Sequence, residues 1–143
     1  MLEIFGQLVL ATILGALVGL ERQLSKKDAG MRTFALVSLG SALFTIISVM
    51  GWEKFSGPAF NISQIPSQIV IGVGFIGAGV IMFHHSHLVG LTTAAGLWVA
   101  AGIGMAVGFK FYWLSIFSAF LVFLIFVVFW LIEEKIAQKI SDV

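Results

Sequence analysis

Five apolar runs constrain this chain more than any other feature. They cover residues 3–20, 33–50, 67–83, 91–108 and 111–132. Each approaches the roughly 20 residues that a helix needs to cross a bilayer core about 30 Å thick. Backbone immersed in hydrocarbon has to satisfy its own hydrogen bonds, so each run is expected to be helical. The whole is then an all-α integral membrane protein, a compact bundle of five transmembrane helices with the lipid bilayer as its first partner. Composition agrees: of 143 residues, 59% are hydrophobic and 10% charged. Soluble domains carry about 25% charged residues, so a water-facing exterior could not be covered here. Residues 1–143 read as a single transmembrane domain without a linker or internal repeat. The start, Met1-Leu2-Glu3, has no basic stretch and no small-residue cleavage site follows. The first run is therefore read as a retained helix and not a signal peptide.

Lys and Arg set the expected orientation. Arg22, Lys26, Lys27 and Arg32 follow the first run, and Lys135 and Lys139 follow the fifth. With five spans these share one side, leaving only Lys54 and Lys110 on the other. The positive-inside rule then puts the N-terminus outside and the C-terminus in the cytoplasm. A net charge of +1, with its basic residues in short loops, gives no footing for nucleic acid. Without cysteine there is no disulfide, thiol nucleophile or thiolate metal site. No nucleophile–base pair stands out, so neither an enzyme nor a cofactor is expected.

The stretch Ile71-Gly72-Val73-Gly74-Phe75-Ile76-Gly77-Ala78-Gly79 contains a literal G-x-G-x-x-G. A dinucleotide fold needs a carboxylate about 20 residues on, where this chain has Thr92-Thr93-Ala94-Ala95. In a bilayer, helices associate by close backbone approach at small residues. Gly15 and Gly19, then Gly72, Gly74, Gly77 and Gly79, then Gly96, Gly104 and Gly108 are accordingly read as helix-packing positions on the first, third and fourth spans. The fifth span repeats Phe117, Phe120, Phe123, Phe126 and Phe129. It is expected to face lipid or a second protomer, with Tyr112, Trp113 and Trp130 as interfacial anchors.

Polar residues at the cytoplasmic edge carry the candidate site. Glu21 at a helix C-terminus and Arg32 at a helix N-terminus both oppose the macrodipole. Their proximity on one hairpin suggests mutual compensation, Glu21 accepting a forked hydrogen bond from Arg32 or from Arg22. Thr33 adjoins Arg32, and Thr92 and Thr93 open the fourth span. One of these two hydroxyls is expected to cap the helix and the other to join Glu21, Arg22 and Arg32. His84, His85 and His87 form a short histidine tract with weak metal-binding potential, since no carboxylate lies in the loop to complete a site. At the opposite face, Gln68 is a candidate for an interhelical hydrogen bond, while Asn61 and Gln64 read as loop.

Four ordered motifs now make a resemblance specific: Gly15-x-x-x-Gly19-x-Glu21-Arg22, Ala29-Gly30-Met31-Arg32-Thr33, Gln68 through Gly79, and Gly90-Leu91-Thr92-Thr93-Ala94-Ala95 with Trp98. Together they resemble the MgtC/SapB family. The resemblance implies a bacterial inner-membrane protein tied to growth in low magnesium and, in some pathogens, to virulence inside macrophages. It also implies a homodimer. Members are described as Mg²⁺ transporters, and also as regulators that bind another membrane complex such as the F-type ATP synthase or a cation transporter. The chain departs from the pattern at Asn61 and Gln64, where relatives carry charge, and in its His84-His85-Ser86-His87 loop. It also reads as a short form, with only residues 133–143 where longer members have a soluble C-terminal domain.

Mg²⁺ keeps several waters and is normally met by one or two carboxylates. Near the motif cluster stands Glu21 alone, with Arg22 and Arg32 cancelling its charge. The expectation is a non-enzymatic regulator, with an ion or solute transporter as the alternative.

Overall fold

A computed structural model describes residues 1–55, 61–84 and 87–141. Five helices follow in order: α1 (Leu2–Leu24), α2 (Met31–Phe55), α3 (Gln64–Val80), α4 (Leu91–Gly108) and α5 (Tyr112–Ser141). Between α3 and α4 lies a hairpin of β1 (Met82–His84) and β2 (His87–Val89). It is antiparallel, pairing Met82 with Val89, Phe83 with Leu88 and His84 with His87. Length and composition suit α1, α2, α4 and α5 to crossing a membrane, whereas α3 has 17 residues.

The all-α membrane bundle holds, with shifted boundaries. Helical hydrogen bonding outlasts the apolar runs, so α1 carries Glu21 and Arg22 inside its last turns and α2 extends to Phe55. The third helix starts three residues earlier than residue 67, with Pro66 in its first turn. There Pro's missing N–H goes unneeded. It also stops at Val80, not residue 83, because Ile81 is extended (φ −85°, ψ 119°) and the chain turns into β1. Gly90 allows the return: its φ of +89° suits glycine, and a Cβ there would run into the Val80 carbonyl.

The core forms where α1 and α4 pack on α2, around the fully buried Val18, Phe34, Leu97, Ile103 and Val107. Glycines make that approach possible. A Cβ on Gly15 would sit 2.6 Å from the Phe34 carbonyl oxygen, and one on Gly19 would sit 2.7 Å from the Phe34 Cβ. From α4, a Cβ on Gly104 would collide with the Ser38 backbone, and one on Gly108 would lie 2.6 Å from the Thr45 Cβ. Opposite Gly104 and Gly108, α2 brings the small polar residues Ser38 and Thr45, both buried, as are Ser41 and Ser48. Ser38 Oγ donates to the Ala11 carbonyl at 2.8 Å, tying α2 to α1. Ser48 Oγ donates to the Ile62 carbonyl at 2.7 Å, and Gln7 Nε2 to the Val107 carbonyl at 2.8 Å. Each of these three donors therefore meets a backbone acceptor, as a bilayer interior requires.

The third helix corrects an expectation. A Cβ at Gly72, Gly74 or Gly79 would meet nothing within 4 Å, and at Gly77 only Ala94 at an ordinary 3.5 Å. The buried positions of α3 are Pro66, Val73 and Gly77, one narrow stripe. Gly72 and Gly74 stand about 100° to either side of Val73 and so miss it. Along α5, Phe117, Phe120, Phe123 and Phe129 are exposed, but Phe126 is buried and points inward.

Gly104→Ala is expected to destabilise the bundle by about 1–3 kcal/mol, the usual cost of overpacking. Gly72→Ala, helical and open, should be neutral or stabilising by up to about 1 kcal/mol. Thermal unfolding in one detergent measures both; equal shifts would contradict this division of the glycines.

Candidate functional site

At one end of the bundle, the α1–α2 turn, the hairpin, the start of α4 and the later turns of α5 enclose a cavity of about 880 Å³. Its polar wall includes Arg22, Lys26, Lys27, Thr92 and Thr93, and its apolar wall Leu88, Ile125, Phe126, Phe129 and Trp130. Asp28 and Glu133 also line it.

Behind this wall stands Glu21, 7% exposed, beside Arg22 at 5%. Arg22 Nε donates to Glu21 Oε2, and Ser25 Oγ donates to Oε1 at 2.7 Å. Both carboxylate oxygens are thus occupied by groups of the same helix. The guanidinium lies over the Phe126 ring, its carbon 4.1 Å from the centroid. Phe126 in turn meets Phe34 edge-on, with centroids 6.4 Å apart and planes at 85°. Gly96 admits that pair, since a Cβ there would sit 2.6 Å from Phe126 Cζ and 3.1 Å from the Phe34 ring. A continuous stack therefore runs from the core of α4, through two rings, to a buried ion pair.

Of the expected polar cluster, Arg22, Thr92 and Thr93 line the cavity, and Glu21 pairs with Arg22. Arg32 is exposed in the first turn of α2, and Glu21 takes Arg22 as its partner. The reason is the length of α1: its last turns carry Arg22 under Phe126, against the carboxylate. Arg22 there also favours the negative end of the helix dipole, which Glu21 opposes. Thr33 belongs elsewhere, lining an apolar cavity of about 630 Å³ between α2 and α3 with Val37, Gly40, Ile69 and Gly72.

Gln68 borders the same groove, is exposed and makes no hydrogen bond among the described residues. Trp98 is 53% exposed. Neither threonine caps α4; the N-cap is Gly90, and its carbonyl accepts from the Ala94 N–H at 2.8 Å. Thr92 is exposed, whereas Thr93 is 3% exposed with no side-chain hydrogen bond among the described residues. His85 lies outside the described residues. Among those described, no group of three or more His, Asp or Glu is placed to hold a metal.

Sequence reading did not single out Ser25, Lys26, Lys27 or Phe126 for the site. Lys26 adopts φ +53° just past the end of α1, a position glycine usually takes. The Lys27 N–H then reaches back to the Arg22 carbonyl at 3.0 Å, which holds both lysines at the cavity. Phe126 carried no signal separating it from the exposed phenylalanines of α5. At the opposite end of the bundle, Lys110 bonds Glu3 at 2.9 Å, and that hydrogen bond raises the Lys110 ammonium above its usual range.

A family model described as the MgtC family matches residues 8–135. Among curated proteins, YhiD of Escherichia coli K12, described as a candidate magnesium transporter, is 44% identical over 120 residues, covering 82% of this chain and 56% of that protein. SapB of Bacillus subtilis is 40% identical over 114 residues, 77% of this chain and 49% of that one. MgtC of Salmonella typhimurium LT2 is 46% identical over 101 residues, 71% and 41% respectively. The chain spans about half the length of the curated relatives it matches. No solved structure matches it.

Glu21→Gln should destabilise the protein by about 3–5 kcal/mol, because Arg22 would stay buried without its counter-charge. Arg32→Gln, on the surface, should stay within about 0.5 kcal/mol. Unfolding of the two variants in detergent decides between this pairing and a Glu21–Arg32 bridge, for which both would be costly.

Proposed function

The chain belongs to the MgtC family, and from that premise we propose that it is a regulator embedded in the bacterial inner membrane. On this reading it supports adaptation to low magnesium by binding another membrane complex and does not itself carry Mg²⁺. One observation carries the reading: Glu21, the buried carboxylate of the cluster, is already engaged by Arg22 and Ser25, one hydrogen bond to each oxygen. Mg²⁺ requires oxygen ligands with negative charge to spare. A divalent ion entering the neighbouring cavity would meet Arg22, Lys26 and Lys27 beside Asp28 and Glu133, three cations against two carboxylates.

The proposal includes an N-terminus outside, a C-terminus in the cytoplasm and a homodimer. Support for an assembled state comes from the open glycines of α3 and the phenylalanine face of α5, which leave helix surface free for protein neighbours. No reaction is assigned, since the cavity brings together no nucleophile with a base.

Magnesium transport is the second reading, favoured by the description of the Escherichia coli relative. Reconstitution into liposomes with an entrapped Mg²⁺ indicator, run beside a pull-down from native membranes, separates the two. A stoichiometric membrane partner and no saturable flux are expected. Saturable flux from the pure protein would overturn the regulator.

A further inference from the structure

We propose that the cavity between α1, the hairpin, α4 and α5 binds a phosphate group, delivered as the headgroup of a phospholipid whose acyl chains lie along α5. The start of α4, an 18-residue helix, opens into this cavity at Gly90, Leu91, Thr92 and Thr93. No side chain caps it, so its first amides remain donors for an anion. Thr93 adds a hydroxyl that is nine-tenths buried, lines the cavity and has no hydrogen-bond partner among the described residues. Arg22 is held through Nε by Glu21, and its two terminal nitrogens make no hydrogen bond among the described residues. The guanidinium is thus oriented, by Glu21 on one side and the Phe126 ring on another, with donors left over. Lys26 and Lys27 stand at the same cavity on a turn of fixed geometry.

Three cations face two carboxylates, Asp28 and Glu133, so the charge balance of the lining is small. Recognition then runs through directed N–H and O–H donors, which match the oxygens of a phosphate. The other wall, with Ile125, Phe129 and Trp130, is apolar and continues along the exposed face of α5. A free anion has no use for that wall; an amphiphile fills both halves. This assignment rests on the reading of the site as one that disfavours Mg²⁺, yet it is tested apart from the choice between regulator and transporter.

The full chain, purified in a neutral detergent, is titrated calorimetrically with dihexanoyl phosphatidylglycerol, dihexanoylglycerol and inorganic phosphate. Saturable binding of phosphatidylglycerol is expected, with dihexanoylglycerol, which has the same chains and no phosphate, weaker by at least about tenfold. Thr93→Val should weaken binding roughly tenfold and Lys27→Gln about fivefold. Should Thr93→Val fail to fold, Lys27→Gln on the exposed turn still decides. Inorganic phosphate bound as tightly as the lipid would support the phosphate site and overturn the lipid as its source. Equal binding of dihexanoylglycerol, absence of binding, or unchanged affinity in the folded variants would overturn the site. Lost lipid binding without Mg²⁺ flux would sink this inference alone, whereas flux from a protein that binds lipid would sink only the regulator.

Discussion

Close approach of α1 and α4 to the backbone of α2 underlies everything else in this protein. Lipid tails are as apolar as leucine, so burial of hydrocarbon gives helices little reason to associate. Contact at van der Waals range, with hydrogen bonds across the seam, has to supply it instead. Gly15, Gly19, Gly104 and Gly108 remove the side chains that would hold the helices apart. Ser38 and Thr45 fill what remains, with Ser38 also bonding the backbone of α1. The two seams meet at Ser38, which a Cβ on Gly15 and one on Gly104 would both strike, so one face of α2 carries both contacts even though its sequence looks like any other span.

The ion pair at the cavity depends on this frame at one remove. Gly96 lets Phe126 come in against Phe34, and Phe126 forms the surface on which Arg22 lies. Without that ring, the guanidinium would lose a desolvated cation–π contact, a kind worth about 2 kcal/mol when buried. Burial of Arg22 in turn keeps Glu21 compensated far from bulk water. Charge at the site is therefore set by packing against Gly96 of α4, through two phenyl rings whose centroids lie 6.4 Å apart.

Length and hydropathy were enough to read five helices, because bilayer thickness fixes how long an apolar run has to be. They could not place the ends, where helix hydrogen bonding continues into polar sequence, as at Glu21 and Arg22. The small-residue pattern marked Gly15, Gly19, Gly104 and Gly108, which lie against α2, and equally Gly72 and Gly74, which lie open. Spacing tells which glycines share a face, not whether a neighbour lies against that face. The same limit hid Phe126 among four exposed phenylalanines. Glu21 and Arg22 were legible as unusual through the helix dipole, yet their pairing was not, because the partner of a carboxylate depends on where α1 ends. Lys26 left a trace only in φ, which sequence does not display for a lysine.

The shortness of α3 reaches beyond the protein. Its 17 residues rise roughly 25 Å, several ångströms less than a hydrocarbon core of about 30 Å. Past Val80 the backbone is extended, and exposed Gln64 and Ser67 stand at the start, so the helix itself is prolonged at neither end and only the hairpin's exposed Met82 and Phe83 add apolar surface beyond it. Lipid beside α3 has to thin to meet it, at a cost that grows with each ångström of mismatch. α1, α2 and α5, of 23, 25 and 30 residues, ask for no such adjustment, and α4, with 18, packs beside α3 on the short side. The bundle consequently carries a lopsided collar of bilayer, dented along the flank where Gly72 and Gly74 lie open. Neighbours of similarly short reach lose least by gathering at that dent, so elasticity of the membrane itself gives this protein a preferred side.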